Sequence, residues 1–136
     1  MPFEHCWESR GVVITYSGTL MAEDVLECHR QIAGDPRFDD LRYAIVDTLP
    51  VQSVSFSRPE VEEIDAFLRG PAWTNPNIQV VIVATVPAVL RVLSYYDVIA
   101  DRSYKALVCP SAELARQMVV GKTVEPRRGD SESGTI

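Results

Sequence analysis

Ile78-Gln-Val-Val-Ile-Val-Ala84 is an almost unbroken run of β-branched residues, and an apolar pattern of helical period begins just after it at Pro87. A half-exposed strand alternates apolar with polar side chains, whereas a run apolar at consecutive positions suits a strand covered on both faces. Tyr43-Ala-Ile-Val46 is a second such run, ending at Asp47 and bounded by Pro50. Tyr104 to Cys109 is a third. Helical patterns separate the three, so each strand returns through a crossover, and right-handed crossovers build a largely parallel sheet.

Outward from these strands, Ala22, Val25, Leu26, His29, Ile32 and Ala33 recur at three and four residues, which predicts an amphipathic helix stopped by Gly34, Asp35 and Pro36. Ser57 stands three residues before Glu60, the capping-box spacing, and opens a helix with Val61, Ile64, Phe67 and Leu68 inward and an end at Gly70 and Pro71. Trp73 then falls in a loop. Pro87 opens a third helix with Val89, Leu90, Val92, Leu93, Tyr96 and Ile99 on one stripe, and Pro110-Ser111 a fourth with Leu114, Ala115, Met118 and Val119 inward. At the start of the chain, Phe3, His5 and Trp7 alternate with Glu4, Cys6 and Glu8, Gly11 interrupts, and Val12 to Tyr16 completes a hairpin. The fold class is therefore α/β, a five-stranded mixed, mostly parallel sheet with four helices.

The 136 residues are 46% apolar and 24% charged, the balance of one water-soluble domain, expected over residues 1–120. From residue 121 the chain is Arg-, Gly-, Ser-, Asp- and Glu-rich, and disorder is expected to residue 136. The net charge of −6 disfavours nucleic acid and anionic membrane surfaces. The densest acidic run, Glu60, Glu62, Glu63 and Asp65, reads as a solvated helix face. Cys6, Cys28 and Cys109 form no CxxC and no zinc spacing, the start of the chain has no secretory pattern, and no apolar run approaches the ~20 residues of a membrane span. A cytoplasmic protein with free thiols and no cofactor is the expectation.

The order and spacing of Tyr16-Ser-Gly-Thr19, the helix opening Ala22-Glu-Asp24, Asp35-Pro-Arg-Phe38, Leu41-Arg-Tyr-Ala-Ile-Val-Asp47, Val80-Val-Ile-Val-Ala84, and Tyr104-Lys-Ala-Leu-Val108 with the Pro-Ser-Ala-Glu-Leu-Ala helix after it resemble the SpoIIAA-like proteins of the STAS/SEC14 group, in their bacterial branch. The resemblance spans about residues 5–120. It implies a mixed sheet with helices mainly on one face and a non-enzymatic regulatory or protein-interaction role. Its SEC14 side implies the alternative, a small apolar, lipid-like ligand. Family members that switch by serine phosphorylation carry a pattern like Asp-Ser-Ser-Gly, and Asp47-Thr-Leu-Pro-Val-Gln-Ser-Val-Ser55-Phe-Ser57 lacks it.

The candidate partner or ligand surface consists of Asp47, Ser55, Ser57, Trp73, Tyr95 and Tyr96. Asp47 closes a central strand, at the edge where α/β proteins usually bind ligands, though a lone carboxylate there also serves as a turn cap. Ser55 and Ser57 precede a helix whose free amides favour an anion, and capping is the plainer role for them. The three aromatics can line a pocket or an interface, or simply pack. His5 and His29 have no third or fourth metal ligand, and Cys28 and His29 point about 100° apart on their helix, so neither supports a catalytic pair. No GxGxxG, Walker, HExxH, GxSxG or EF-hand pattern occurs. An edge strand in the opening hairpin makes a homodimer possible.

Overall fold

The computed structural model describes residues 2–100 and 103–120, so the tail expected to be disordered lies outside the described residues. The five strands anticipated from the apolar runs are β1 (Phe3–Glu8), β2 (Gly11–Tyr16), β4 (Tyr43–Asp47), β6 (Gln79–Val83) and β7 (Ala106–Cys109), hydrogen-bonded in the order β1-β2-β4-β6-β7. Only the β1–β2 hairpin is antiparallel; the other three ladders are parallel. Two short strands were not expected: β3 (Gly18–Met21) and β5 (Val51–Ser55) form a separate parallel pair. β2 runs through Ser17 into β3, and β4 runs through Thr48-Leu-Pro50 into β5, so the second ladder extends beyond the ends of the two central strands.

The crossovers are α1 (Ala22–Ala33), α2 (Arg58–Thr74) and α3 (Pro87–Ile99), and α4 (Ala112–Val119) closes the chain. Because the strand order from β2 to β7 advances in one direction, crossovers of one hand put all three connecting helices on one face. Val12, Ile14, Ala44 and Val46 look toward that helix layer, while Tyr43, Ile45, Val81 and Val83 look toward Ala115 and Val119 of α4. Alternate residues of the same apolar runs thus serve two cores, which is why those runs lack polar positions. With no reversal of strand order there is no switch-point crevice of the nucleotide-binding kind in the main sheet.

Four local readings are corrected. The hairpin turns at Ser9-Arg10, where Arg10 takes the positive φ, and Gly11 is the first residue of β2. α2 continues through Gly70 and Pro71 to Thr74, carrying Trp73 with it. A proline there removes one helical hydrogen bond, and the end of the helix is satisfied otherwise: the Asn75 amide donates to Pro71 O at 2.8 Å, and the Tyr104 hydroxyl lies 2.9 Å from Pro71 O and 2.7 Å from Asn75 O. Leu114 is exposed, leaving Ala115 and Val119 as the buried residues of α4.

The fourth correction concerns Asp65. Glu62 and Glu63 are exposed, but Asp65 is only 2% exposed, accepting from Arg69 Nη2 at 2.9 Å and from Ser103 Oγ at 2.5 Å. The Tyr96 hydroxyl lies 2.9 Å from Ser103 Oγ and donates to Tyr104 O at 2.8 Å, so the carboxylate ties α2 to α3 and to the approach to β7. Arg69→Ala leaves this buried carboxylate without its cation. Since Arg69 itself is 49% exposed and partly screened, the expected loss is about 1–2 kcal/mol in urea unfolding, against less than about 0.5 kcal/mol for Arg30→Ala in the exposed Glu27–Arg30 pair. Equal losses for the two would remove Asp65 from the account of stability.

Candidate functional site

Ser57 caps α2 as its spacing predicts. Its Oγ accepts from the Glu60 amide at 3.3 Å, and its own amide donates to Glu60 Oε1 at 2.8 Å. With both groups engaged, and with the Glu60 carboxylate 3.1 Å from the hydroxyl, a phosphate on Ser57 would displace the cap and meet a like charge. The same turn forms one wall of a shallow groove of about 470 Å³ between α2 and α3. Phe56 and Val61 contribute apolar surface from one side, Leu90 and Val92 from the other, and Arg58 and Arg91 bring cations. Tyr95 stands between the helices: its hydroxyl donates to Glu62 Oε2 at 2.8 Å, and the Arg58 guanidinium lies 5.2 Å from its ring centre. The carboxylate beside the phenol raises its pKa, so Tyr95 is a neutral donor at ordinary pH.

Ser57 and Tyr95 are therefore brought together, and the other sequence candidates are not brought to the groove. Ser55 is exposed at the end of β5, opposite Met21. Asp47 is in register between Thr15 and Val83, and its Oδ1 accepts from the Leu49 amide at 2.9 Å, which is the turn-capping role. Trp73 is 88% exposed and lies sixteen residues along α2 from Ser57, about 24 Å at the helical rise. Tyr96 is buried in the Asp65 network on another face of α3 from Tyr95. Arg58 and Arg91 are groove residues that the sequence did not single out, and Leu90, expected on the apolar stripe of α3, is 37% exposed at the groove instead. The capping box marks one wall, but no local pattern says which residues of α3 will stand opposite it.

A second, partly open concavity lies between the main sheet and the α1–α3 layer. It is a cavity of about 160 Å³ with walls drawn from β2, β4, β6 and the three helices. None of the side chains around it is charged; Tyr16, His29, Thr48, Tyr96 and Tyr104 are its polar members. Val80 and Ile82 face this layer yet stay only half-buried, because accessible surface remains on the cavity side. Burial alone pushes the His29 pKa down to about 4, with no neighbouring charge or hydrogen bond offsetting it. Tyr16 is 3% exposed, and its hydroxyl has no oxygen or nitrogen partner, only the soft Cys28 thiol beside it. Burial raises its pKa strongly and raises that of the neighbouring Cys28 thiol to about 11, so neither is an activated nucleophile.

Among the described residues, no group of three or more His, Cys, Asp or Glu side chains is placed to hold a metal ion, and no helix is long and apolar enough to cross a membrane. No protein-family model matches the chain, and no curated protein does either. Among solved structures, the chain is similar to the anti-sigma factor antagonist SpoIIAA in its unphosphorylated form, with a TM-score of 0.59 and 11% identity over 88% of this chain and 97% of that one. This likeness establishes the SpoIIAA-like, STAS-type fold that the order of motifs implied.

Proposed function

We propose that residues 1–120 form a regulatory domain that works by binding a partner protein, without catalysis, through the groove between the start of α2 and α3. The observation that carries this reading is the composition of that groove: apolar side chains from the approach to α2, from α2 and from α3, flanked by Arg58 and Arg91 and by the neutral phenol of Tyr95. A buried aromatic or aliphatic anchor ringed by polar contacts is how protein interfaces concentrate their energy. The rim is mixed, with Arg58 and Arg91 set beside Glu60 and Glu62, and its two guanidiniums favour a partner segment that carries a carboxylate beside an apolar side chain. The fold supports the reading, being that of a protein described as an anti-sigma factor antagonist. Ser57 enters as the cap that fixes the groove wall, not as a phosphate carrier.

The test is partner capture with the purified chain and three variants, quantified by mass spectrometry. Leu90→Arg and the double variant Arg58→Glu/Arg91→Glu are expected to reduce the captured partner at least tenfold, corresponding to the loss of about 1.4 kcal/mol or more of binding energy. Trp73→Ser, at the far end of α2, is expected to leave it unchanged. Loss only in Trp73→Ser would move the surface to the other end of the helix. Reproducible turnover abolished by Asp47→Ala would replace the regulatory reading with an enzymatic one.

A further inference from the structure

We infer that the cavity between the main sheet and the α1–α3 layer binds a small, uncharged, mainly apolar molecule about the size of a substituted benzene ring, with a single polar group directed at the Tyr16 hydroxyl. The inference goes beyond the partner-binding proposal and does not depend on it. Three observations converge. The volume, about 160 Å³, is close to that of engineered apolar cavities of about 150 Å³ that stay dry and take up benzene. An apolar void of this size inside a core forfeits dispersion contacts that an occupant would restore. The Tyr16 hydroxyl, on a residue that lines the void, is buried with no oxygen or nitrogen partner and only the Cys28 thiol beside it, a weak acceptor that a better polar group would improve on.

The walls also define what is excluded. No Lys, Arg, Asp or Glu lines the cavity, so nothing there compensates a carboxylate, phosphate or ammonium brought out of water. His29 faces the void as the neutral imidazole and can add a second weak polar contact. The volume matches one ring, not a long acyl chain, so the ligand differs from the lipid-like one that a SEC14 resemblance implies. Phe56, Val61 and Val92 belong to both the cavity wall and the groove, which gives an occupant a direct route to the partner surface.

The experiment titrates the full chain with toluene, p-cresol and indole, and with benzoate and benzylamine as charged counterparts, following amide NMR shifts and thermal unfolding. Saturable shifts at β2, β4 and α1 are expected for the three neutral probes and none for the charged pair. Tyr16→Phe is expected to weaken p-cresol about five- to tenfold while leaving toluene unchanged, which isolates the hydroxyl contact. Ala44→Leu, which projects into the void from β4, is expected to raise the melting temperature and abolish binding of all three. Absence of saturable binding by the folded wild type overturns the inference. So does binding that survives Ala44→Leu, or shifts confined to the α2–α3 groove. Should Ala44→Leu fail to fold, the Tyr16→Phe comparison decides on its own: an equal effect on p-cresol and toluene counts against the assigned polar contact.

Discussion

Gly11→Ala is expected to destabilise the protein by about 3 kcal/mol, and Gly11→Val to prevent folding. Gly11 pairs with Tyr43 across the parallel β2–β4 ladder, and the Tyr43 ring lies flat over it: a Cβ built at position 11 would sit 2.0 Å from Cζ and 2.2 and 2.3 Å from the two Cε atoms. The ring has little room to yield, because Tyr43 is buried and its hydroxyl donates to Glu8, which is held in turn by two hydrogen bonds from Arg116 at 2.6 and 2.5 Å. The Arg116 guanidinium holds the Glu8 carboxyl below its usual range, and burial together with the neighbouring carboxylate raises Tyr43 to about 12. One cluster thus fastens the opening hairpin, the central strand and α4, and the absent side chain at Gly11 is what lets it form. The measurement is a double-mutant cycle in urea: in a Tyr43→Leu background Gly11→Ala should cost less than half as much. Strict additivity of the two substitutions would contradict this account of the glycine.

The second large effect is an acid limb of stability set by His29. The folded-state pKa is about 4, below the ordinary value of 6.5, so between those values the unfolded chain binds a proton that the folded chain refuses. The stabilising preference for the neutral ring is fully present above pH 6.5, and it is lost as the pH falls toward 4. At about 1.4 kcal/mol for each pH unit, the window is worth about 3 kcal/mol. His29→Leu is expected to flatten the stability profile across this range while leaving the steeper fall below it, where Glu8 and Asp35, both held low by arginine partners, take up protons. Superimposable profiles for wild type and His29→Leu between pH 4 and 6.5 would show that the half-buried ring titrates normally, and hence is not desolvated by its apolar surroundings.

The parts of this fold that could be read in advance are those whose cause is local. β4 and β6 announce themselves because both faces of each strand are covered, and α1 runs from Ala22 to Ala33, as its apolar period and the break at Gly34-Asp-Pro36 require. The capping box at Ser57 and Glu60 forms as spaced. What escaped depends on contacts between distant segments. Gly18-Thr-Leu-Met21 and Val51-Gln-Ser-Val-Ser55 each look like connecting chain, and they become strands only by pairing with each other across thirty or so residues. Asp65 sits in an acidic run that looks wholly solvated, and its burial depends on Ser103, which reaches it from beyond α3.

The same division holds for the candidate surfaces. Ser57 and Tyr95 were recognisable as residues of interest, and their convergence was not, since it requires α2 and α3 to pack side by side. Trp73 attracted attention by residue type alone and stands apart from both concavities. The cavity has no sequence signature, because Val12, Ala44 and Ile82 give the same apolar pattern whether the helices above them fill the space or leave it open.

The central functional claim is that the α2–α3 groove is the partner surface. Its most direct test is hydrogen–deuterium exchange of the purified chain alone and in complex with the captured partner. Slowed exchange concentrated in residues 56–62 and 90–95, and absent in the Leu90→Arg protein mixed with the same partner, is the predicted result. Protection that instead falls on Trp73 and the end of α2, or along β7, with the groove exchanging as in the free protein, would contradict it.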